Sequence, residues 1–260
     1  MTTNAVALLS VENVGMQFGG LTALEAVSFS LNEKKIVAVI GPNGAGKTTL
    51  FNCLSGFYQP TTGRVMLDGR AIDKLPSHEI ARAGLVRTFQ NIRLFKQMTV
   101  MENLLVAQFT RSDNRLWAGL LNNRHYREKE ETVKREAIYW LERMELTPFA
   151  NREAGNLAYG QQRRLEIARC MATAPRLLLL DEPAAGLNPN ETVALCQLIS
   201  DLRNDHGVTI LLIEHDMSLV MEISEEILVL DRGRPIAWGV PAAIREDRAV
   251  ISAYLGEECL

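Results

Sequence analysis

Long apolar runs are missing from this sequence of 260 residues: none approaches the roughly 20 residues that a membrane-spanning helix needs. Work at a membrane would require spanning helices from other chains. Cysteine is scarce. Cys53, Cys170, Cys196 and Cys259 are scattered without C-x-x-C spacing, which argues against a metal site or a disulfide framework and for reduced thiols in a cytosolic protein. Neither sign of charge is in large excess. The formal net charge of −3 leaves no basic face of the kind a general nucleic-acid binder presents. The one basic run, residues 124–134, is interspersed with Glu and reads as a solvated helix face. The first ten residues lack the basic start and apolar core of a signal peptide. No internal repeat or low-complexity tract is found, and the length allows one large domain or one domain with a subdomain.

What is present is organised around Gly41-Pro42-Asn43-Gly44-Ala45-Gly46-Lys47-Thr48, followed by Thr49. It fits G-x-x-x-x-G-K-[ST]. The apolar, β-branched run of residues 36–40 precedes it as a buried parallel strand would, and residues 47–54 read as the first turns of a helix. Strand, glycine-rich loop, helix is the order of a phosphate-binding loop. Glycines let the backbone wrap a phosphate chain with N–H groups inward, and the helix N-terminus adds partial positive charge. Lys47 would bring a full charge to the β- and γ-phosphates, and the Thr48 hydroxyl could hold Mg²⁺. Asn43, Gly44, Gly46, Lys47, Thr48 and Thr49 are the candidate nucleotide contacts of this stretch.

Around the loop the pattern alternates between strand and helix. Residues 8–14 and 21–31 are expected as antiparallel strands, broken at Gln17-Phe18-Gly19-Gly20. Residues 64–67 form a strand ended by Asp68-Gly69, a hairpin signal. Residues 77–83 form a short helix closed by Gly84, and residues 85–89 a strand with Gln90 at its exit. Between Asn91 and Asn156 the character becomes helical. Residues 100–106 are helical in pattern. Residues 111–124 are polar and irregular, with Leu116, Trp117, Leu120 and Leu121 embedded. Residues 128–144 form an amphipathic helix turning Val133, Ala137, Ile138, Trp140, Leu141 and Met144 to a core. This block reads as an inserted helical subdomain, 91–156, in an α/β core made of 1–90 and 157–260. Alternation then resumes with a helix at 161–172, a strand at 176–180, a helix at 191–206 opened by Asn188-Pro189-Asn190-Glu191, a strand at 208–213, a hairpin around Asp231-Arg232-Gly233, and a helical stretch at 241–255.

A phosphate loop specifies a nucleotide but not a reaction. Leu177-Leu178-Leu179-Leu180-Asp181-Glu182 adds one. A carboxylate at the end of a buried strand, Asp181, can hold Mg²⁺, and Glu182 beside it can orient or deprotonate an attacking water. Three further residues are open to two readings. Phe18 is a core aromatic or a platform for a purine. Gln90 is a turn residue or an amide reaching a metal or water. His215 is structural or a donor to a γ-phosphate. His78, His125 and His206 lie in polar settings and receive no role.

These motifs together resemble the nucleotide-binding subunit of ABC transporters, and the resemblance extends over essentially the whole chain. Residues 41–48 match Walker A, residues 177–181 Walker B, and Glu182 the catalytic glutamate. Gln90 matches the Q-loop, His215 the switch histidine and Phe18 the adenine-stacking aromatic. The resemblance implies an α/β fold: a P-loop NTPase (RecA-like) core with a mainly parallel sheet, an N-terminal antiparallel β subdomain and an inserted α-helical subdomain. It implies ATP and Mg²⁺ as cofactors, Glu182, His215 and Gln90 as catalytic residues, and Thr48, Gln90 and Asp181 around the metal. In the family signature, usually L-S-G-G-Q, this chain reads Leu157-Ala158-Tyr159-Gly160-Gln161. Ala158 cannot donate across a dimer as the usual serine does, while Gly160, Gln161 and the helix N-terminus remain for the nucleotide. Asn188 stands where the usual S-A-L-D loop has its Asp. These departures imply two unequal sites in a working dimer.

Arg87-Thr88-Phe89-Gln90-Asn91-Ile92-Arg93-Leu94-Phe95, the Ala-Tyr signature, Ala184-Ala185-Gly186-Leu187-Asn188-Pro189 and the ending Ala253-Tyr254-Leu255-Gly256-Glu257 are similar to the ATPase subunit of bacterial branched-chain amino acid importers. That resemblance implies an ATP-hydrolysing protein peripheral to the cytoplasmic face of the inner membrane. Its implied partners are a second ATPase subunit (a heterodimer, or a homodimer in isolation), two transmembrane permease subunits and, indirectly, a periplasmic solute-binding protein, with no nucleic acid. Urea or amide importers and lipopolysaccharide exporters share much of the pattern. A soluble ABC-type ATPase outside transport usually carries two cassettes or a long coiled-coil insertion, and a regulator that does not hydrolyse would not need Glu182.

Overall fold

The structure, a computed structural model, describes residues 7–108 and 124–255. The irregular stretch at residues 111–123, with Leu116, Trp117, Leu120 and Leu121, lies outside the described residues, as do Gly256, Glu257 and Cys259. The described chain divides into two compact units, Met1–Gln90 with Arg176–Leu260 and Asn91–Pro175.

The larger unit holds two sheets. Strands β1 (Leu9–Phe18) and β2 (Leu21–Leu31) pair antiparallel, and β1 also pairs with β4 (Thr62–Leu67), which turns through Asp68-Gly69 into the two-residue β5 (Arg70–Ala71). The order is β2-β1-β4-β5. Strand β1 is longer than the sequence pattern implied: register shifts between Val11 and Gln17 break its alternation but not its pairing, so Phe18 ends the strand rather than lying in the turn.

The second sheet has the order β10-β9-β3-β8-β7-β6. Its members are β3 (Ile36–Ile40), β6 (Leu85–Arg87), β7 (Leu177–Asp181), β8 (Thr209–Ile213), β9 (Glu226–Asp231) and β10 (Arg234–Gly239). All neighbours run parallel except the β9–β10 hairpin. Every residue of β3, β7 and β8 is buried. That is why these strands are unbroken apolar runs: a parallel sheet covered on both faces has no solvated side to alternate with. The period of two is still visible in the packing. Val37, Val39, Leu177, Leu179, Leu211 and Ile213 share one core with Leu50, Phe51 and Leu54 of helix α1 (Lys47–Leu54) and with Val14, Leu24 and Val65 of the antiparallel sheet.

The remaining helices of this unit are α2 (Ser77–Arg82), α6 (Pro189–His206), α7 (Met217–Ile223), α8 (Pro241–Glu246) and α9 (Arg248–Leu255). The expected opening of α6 is observed: Asn188 Oδ1 accepts from Glu191 N at 3.0 Å and Glu191 Oε2 from Asn188 N at 3.0 Å. Helix α7 has no counterpart in the sequence reading, although Asp216 caps it, accepting from Ser218 N at 2.9 Å. The terminal stretch is two helices, not one. Asp247 stands between them in extended conformation and accepts from Ala249 N at 2.7 Å.

The smaller unit is helical. Thr99 and Glu102 form a capping box at the start of α3 (Val100–Gln108). Helix α3 packs on α4 (Arg124–Arg143) and on α5 (Tyr159–Met171). Ala137, Trp140, Leu141 and Met144 form the buried stripe, whereas Ile138 is 44% exposed. It stands one residue round the helix from Ala137, about 100° off the stripe, so its expected place in the core is corrected. The return to the sheet comes later than expected. The sequence pattern places residues 157–175 in the α/β core, whereas α5 packs on α3 and α4 with Leu165, Ile167 and Ala168 buried, inside the helical unit. The boundary falls just before β7 because the apolar face of α5 is complementary to helices α3 and α4.

Candidate functional site

Strands β3, β8, β7 and β6 are consecutive parallel neighbours. Their C-terminal ends therefore lie side by side, and each delivers one sequence-predicted group: the glycine loop after β3, His215 after β8, Asp181 and Glu182 at the end of β7, Gln90 after β6. Ends of parallel strands are where open α/β sheets collect ligands.

The loop is shaped by close approaches. Gly41 has φ 147°, and a Cβ there would stand 2.0 Å from the Leu230 carbonyl oxygen. Gly46, at φ 100°, would meet Ala23 O at 2.7 Å. Side chains are excluded at both, sterically and by backbone conformation. Asn43, Gly44 and Thr48 are exposed and Thr49 is half-buried, while Lys47 is only 6% exposed. Lys47 Nζ donates to Gly41 O at 2.6 Å and Pro42 O at 2.8 Å, which holds the ammonium along the loop. The first turn of α1 has no side-chain cap and no acidic residue, unlike α6 and α7, which Asn188 and Asp216 cap. An uncapped N-terminus next to a buried lysine fits a bound phosphate group.

Glu182 lies at the centre of the second cluster. Its backbone is in the left-handed region, φ 48°, a strained conformation for this residue and of a kind that gathers at functional sites. Gln90 Nε2 donates to Glu182 Oε2 at 2.8 Å. His215 Nε2 lies 2.8 Å from Oε1; since a carboxylate only accepts, the imidazole donates there. Each carboxylate oxygen thus has a donor. Asp181 is buried, and Arg87 Nη2 donates to its Oδ2 at 2.6 Å. Phe18 is 42% exposed, with Tyr58 edge-on at 5.2 Å. An aromatic face open to solvent at a strand end suits stacking better than a core place.

Several participants were not singled out from the sequence. Glu214 closes β8 and is buried. Its Oε1 accepts from Ala184 N at 2.7 Å and its Oε2 from His215 N at 3.1 Å, so it links the turn after Glu182 to the backbone of the histidine. Burial pushes its carboxyl above the ordinary range and the nearby Glu182 charge adds to this, against the hydrogen bonds that lower it. Thr88 is buried, and its Oγ1 accepts from Asp181 N at 3.2 Å. These residues read as unremarkable strand ends in sequence. Only the neighbouring strands make them partners.

The signature stretch belongs to the helical unit. Ala158 has N-cap geometry, and Gln161 Oε1 accepts from its N–H at 3.1 Å, but a methyl group cannot return the bond. Behind it Arg163, 1% exposed, donates to Glu166 Oε2 at 2.9 Å and to the Tyr159 hydroxyl at 3.2 Å. Glu166 Oε1 in turn accepts from Arg93 N at 3.1 Å. The exposed Tyr159 is thus held from inside the unit. Elsewhere, a largely apolar cavity of about 600 Å³ lies among α7, α8 and α9, lined by Met217, Met221, Ile244 and Tyr254.

A glycine loop between a buried parallel strand and an uncapped helix, with paired carboxylates at the end of a strand of the same sheet, defines a P-loop nucleotide-binding protein. The ABC transporter profile matches residues 24–185, and the chain belongs to that family as one of its ATP-hydrolysing cassettes. A second profile, for the branched-chain amino acid ATP-binding cassette transporter, matches residues 234–259. The chain is 59% identical over 250 residues to the high-affinity branched-chain amino acid transport ATP-binding protein BraF of Pseudomonas aeruginosa, covering 96% of this chain and 98% of that protein. It is 56% identical, over the same shares, to LivG of Escherichia coli, which carries the same description. Among solved structures it resembles an ATP-binding cassette of an ABC transporter in its ADP conformation, with TM-score 0.83, 33% identity, and 96% and 99% of the two chains covered. Among the described residues no helix is long and apolar enough to cross a membrane.

Proposed function

We propose that this chain is the ATP-hydrolysing subunit of an importer of branched-chain amino acids, peripheral to the cytoplasmic face of the membrane. The observation that carries the reading is Glu182, held at the end of β7 between Gln90 and His215. A carboxylate with both oxygens oriented can accept a proton from water as that water attacks a phosphate. The N–H groups of the glycine loop and of the first turn of α1 bind the phosphate chain, Lys47 balances its charge, and Phe18 stacks the base. Thr48, Asp181 and Gln90 would hold Mg²⁺, whose chemistry when bound is to neutralise charge on the phosphate oxygens. Asn43, Gly44, Gly46 and Thr49 line the phosphates, and His215, whose Nε2 donates to Glu182 without nucleotide, would turn that donor to the terminal phosphate when nucleotide is bound.

The second half of each site comes from a second ATPase chain, through Gly160, Gln161 and the N-terminus of α5. Ala158 and Asn188 favour a pair of unlike chains with unequal sites. Two permease subunits receive the motion of dimer closure, and a periplasmic solute-binding protein delivers the solute to them. The solute class rests on the 56–59% identity to BraF and LivG and on the profile matched at residues 234–259.

The test is reconstitution of the complex in vesicles. Glu182→Gln should keep ATP binding while ATP hydrolysis and leucine uptake both fall about 10²-fold or more. Hydrolysis at the wild-type rate would remove Glu182 from the role of base. Normal hydrolysis without uptake of leucine, isoleucine or valine would overturn the assigned solute.

A further inference from the structure

Arg87 is a buried cation at the end of β6, where the sequence resemblance assigns no role. Its side chain is 5% exposed and that of Asp181 4%. One arm of the guanidinium, Nη2, donates to Asp181 Oδ2 at 2.6 Å. The other, Nη1, donates to Asn52 Oδ1 at 2.7 Å and Ser55 Oγ at 3.1 Å. Asn52 lies in α1, the helix that opens on the phosphate loop, and Ser55 ends it. The guanidinium carbon stands over the rings of Phe51, Phe57 and Phe89 at 5.5, 6.0 and 5.3 Å. The next residue, Thr88, accepts from Asp181 N. Asp181 is thus gripped by side chain and backbone from the adjacent strand, and the same fork ties it to α1.

We propose that Arg87 is the positioning residue for the magnesium ligand Asp181. This rests on the reading of the phosphate loop above. By engaging Oδ2, Arg87 sets the plane of the carboxylate and leaves Oδ1 for the cation or its water. By engaging Asn52 and Ser55, it fixes that plane relative to the helix that carries Thr48. A carboxylate buried to this degree needs a compensating charge when no metal is bound, and Arg87 supplies it. Arginine is required rather than lysine, because one planar fork spans two acceptor sets that a single ammonium cannot. The three rings clamp the plane of that fork.

The experiment measures binding of a fluorescent ATP analogue with magnesium and with EDTA, and needs no turnover. In wild type, magnesium should tighten binding. In Arg87→Met, affinity in EDTA should stay at the wild-type value, because the loop and Lys47 are untouched, while the tightening by magnesium drops about 10-fold or more, as loss of an outer-shell partner of a metal ligand does. Arg87→Lys keeps the charge and so guards against a variant that fails to fold; it should lose part of the same factor. An unchanged magnesium-to-EDTA ratio in either folded variant would overturn the proposal. Equal losses with and without magnesium would also overturn it, since that is the mark of a merely structural role. Wild type that binds no nucleotide in either condition would overturn the reading of the loop instead.

Discussion

Gln90 and Glu182 stand 92 positions apart in sequence and 2.8 Å apart in space, amide nitrogen to carboxylate oxygen. One follows the edge strand β6 and the other follows β7 beside it. The contact couples the exit of one strand to the acid that would activate water. Any displacement of residue 90 is therefore a displacement of a donor from Glu182.

From this contact we expect Gln90→Ala and His215→Ala each to lower the hydrolysis rate more than the affinity for ATP. Each variant removes one of the two donors that orient Glu182 and leaves the phosphate loop alone. The kcat and KM of the reconstituted complex check this, with kcat falling about 10-fold or more and KM changing little. A rise in KM at constant kcat would place these residues in nucleotide binding only.

Glu214 predicts a pH dependence of stability. Its carboxyl is raised above the ordinary 4.5, chiefly by burial. A raised folded value means that the fold prefers the protonated form. The ionised form costs nothing below 4.5, begins to cost stability as pH rises above it, and costs its full amount once pH passes the raised value. Glu214→Gln keeps an oxygen for Ala184 N and cannot ionise. Melting temperatures measured from pH 4 upwards should shift progressively in favour of the variant as pH rises. A constant difference between the two proteins would refute the assignment.

Ala158→Ser completes a capping box that is half built. Gln161 Oε1 already accepts from residue 158, and the backbone there is extended, as an N-cap requires. The serine hydroxyl would accept the Gln161 N–H and stabilise α5 by about 1 kcal/mol, or a rise in melting temperature of about 2–4 °C in a chain of this size. Hydrolysis by the assembled complex should stay level or increase. A severe loss would mean that the small side chain is itself required.

The buried thiols should be inert. Burial pushes Cys53 and Cys170 up to about 12 and Cys196 up to about 11, and only the thiolate reacts. Iodoacetamide at pH 8 should leave all three unmodified in the folded protein, with labelling appearing in denaturant. Mass spectrometry of the digested protein reads this directly.

Much of this molecule is legible along the chain because its signals are local. The phosphate loop, the capped start of α6 and the apolar strands β3, β7 and β8 each declare themselves within a dozen residues. The boundary of the helical unit lies about one helix beyond residue 156, because the apolar residues of α5 suit either a sheet or a pair of helices. The exposure of Ile138 is not legible in the sequence, because a hydrophobic side chain beside a buried stripe carries no mark of which side of it it occupies. Helix α7 spans seven residues, too few for a clear period, and ends at Ser224 without the closing glycine that marks the similarly short α2.

Spacing and residue type alone determined that a nucleotide is bound, that a second carboxylate stands ready beside the first, and that the sheet is mainly parallel. Loop, strand and helix of that kind form by short-range rules of backbone freedom and side-chain period. Tertiary structure decided which charge neutralises Asp181, which donors orient Glu182, and that Glu214 is buried beneath them. Those partners come from strands 33 to 94 residues away, and only the order in which the sheet sets its strands side by side brings them within reach.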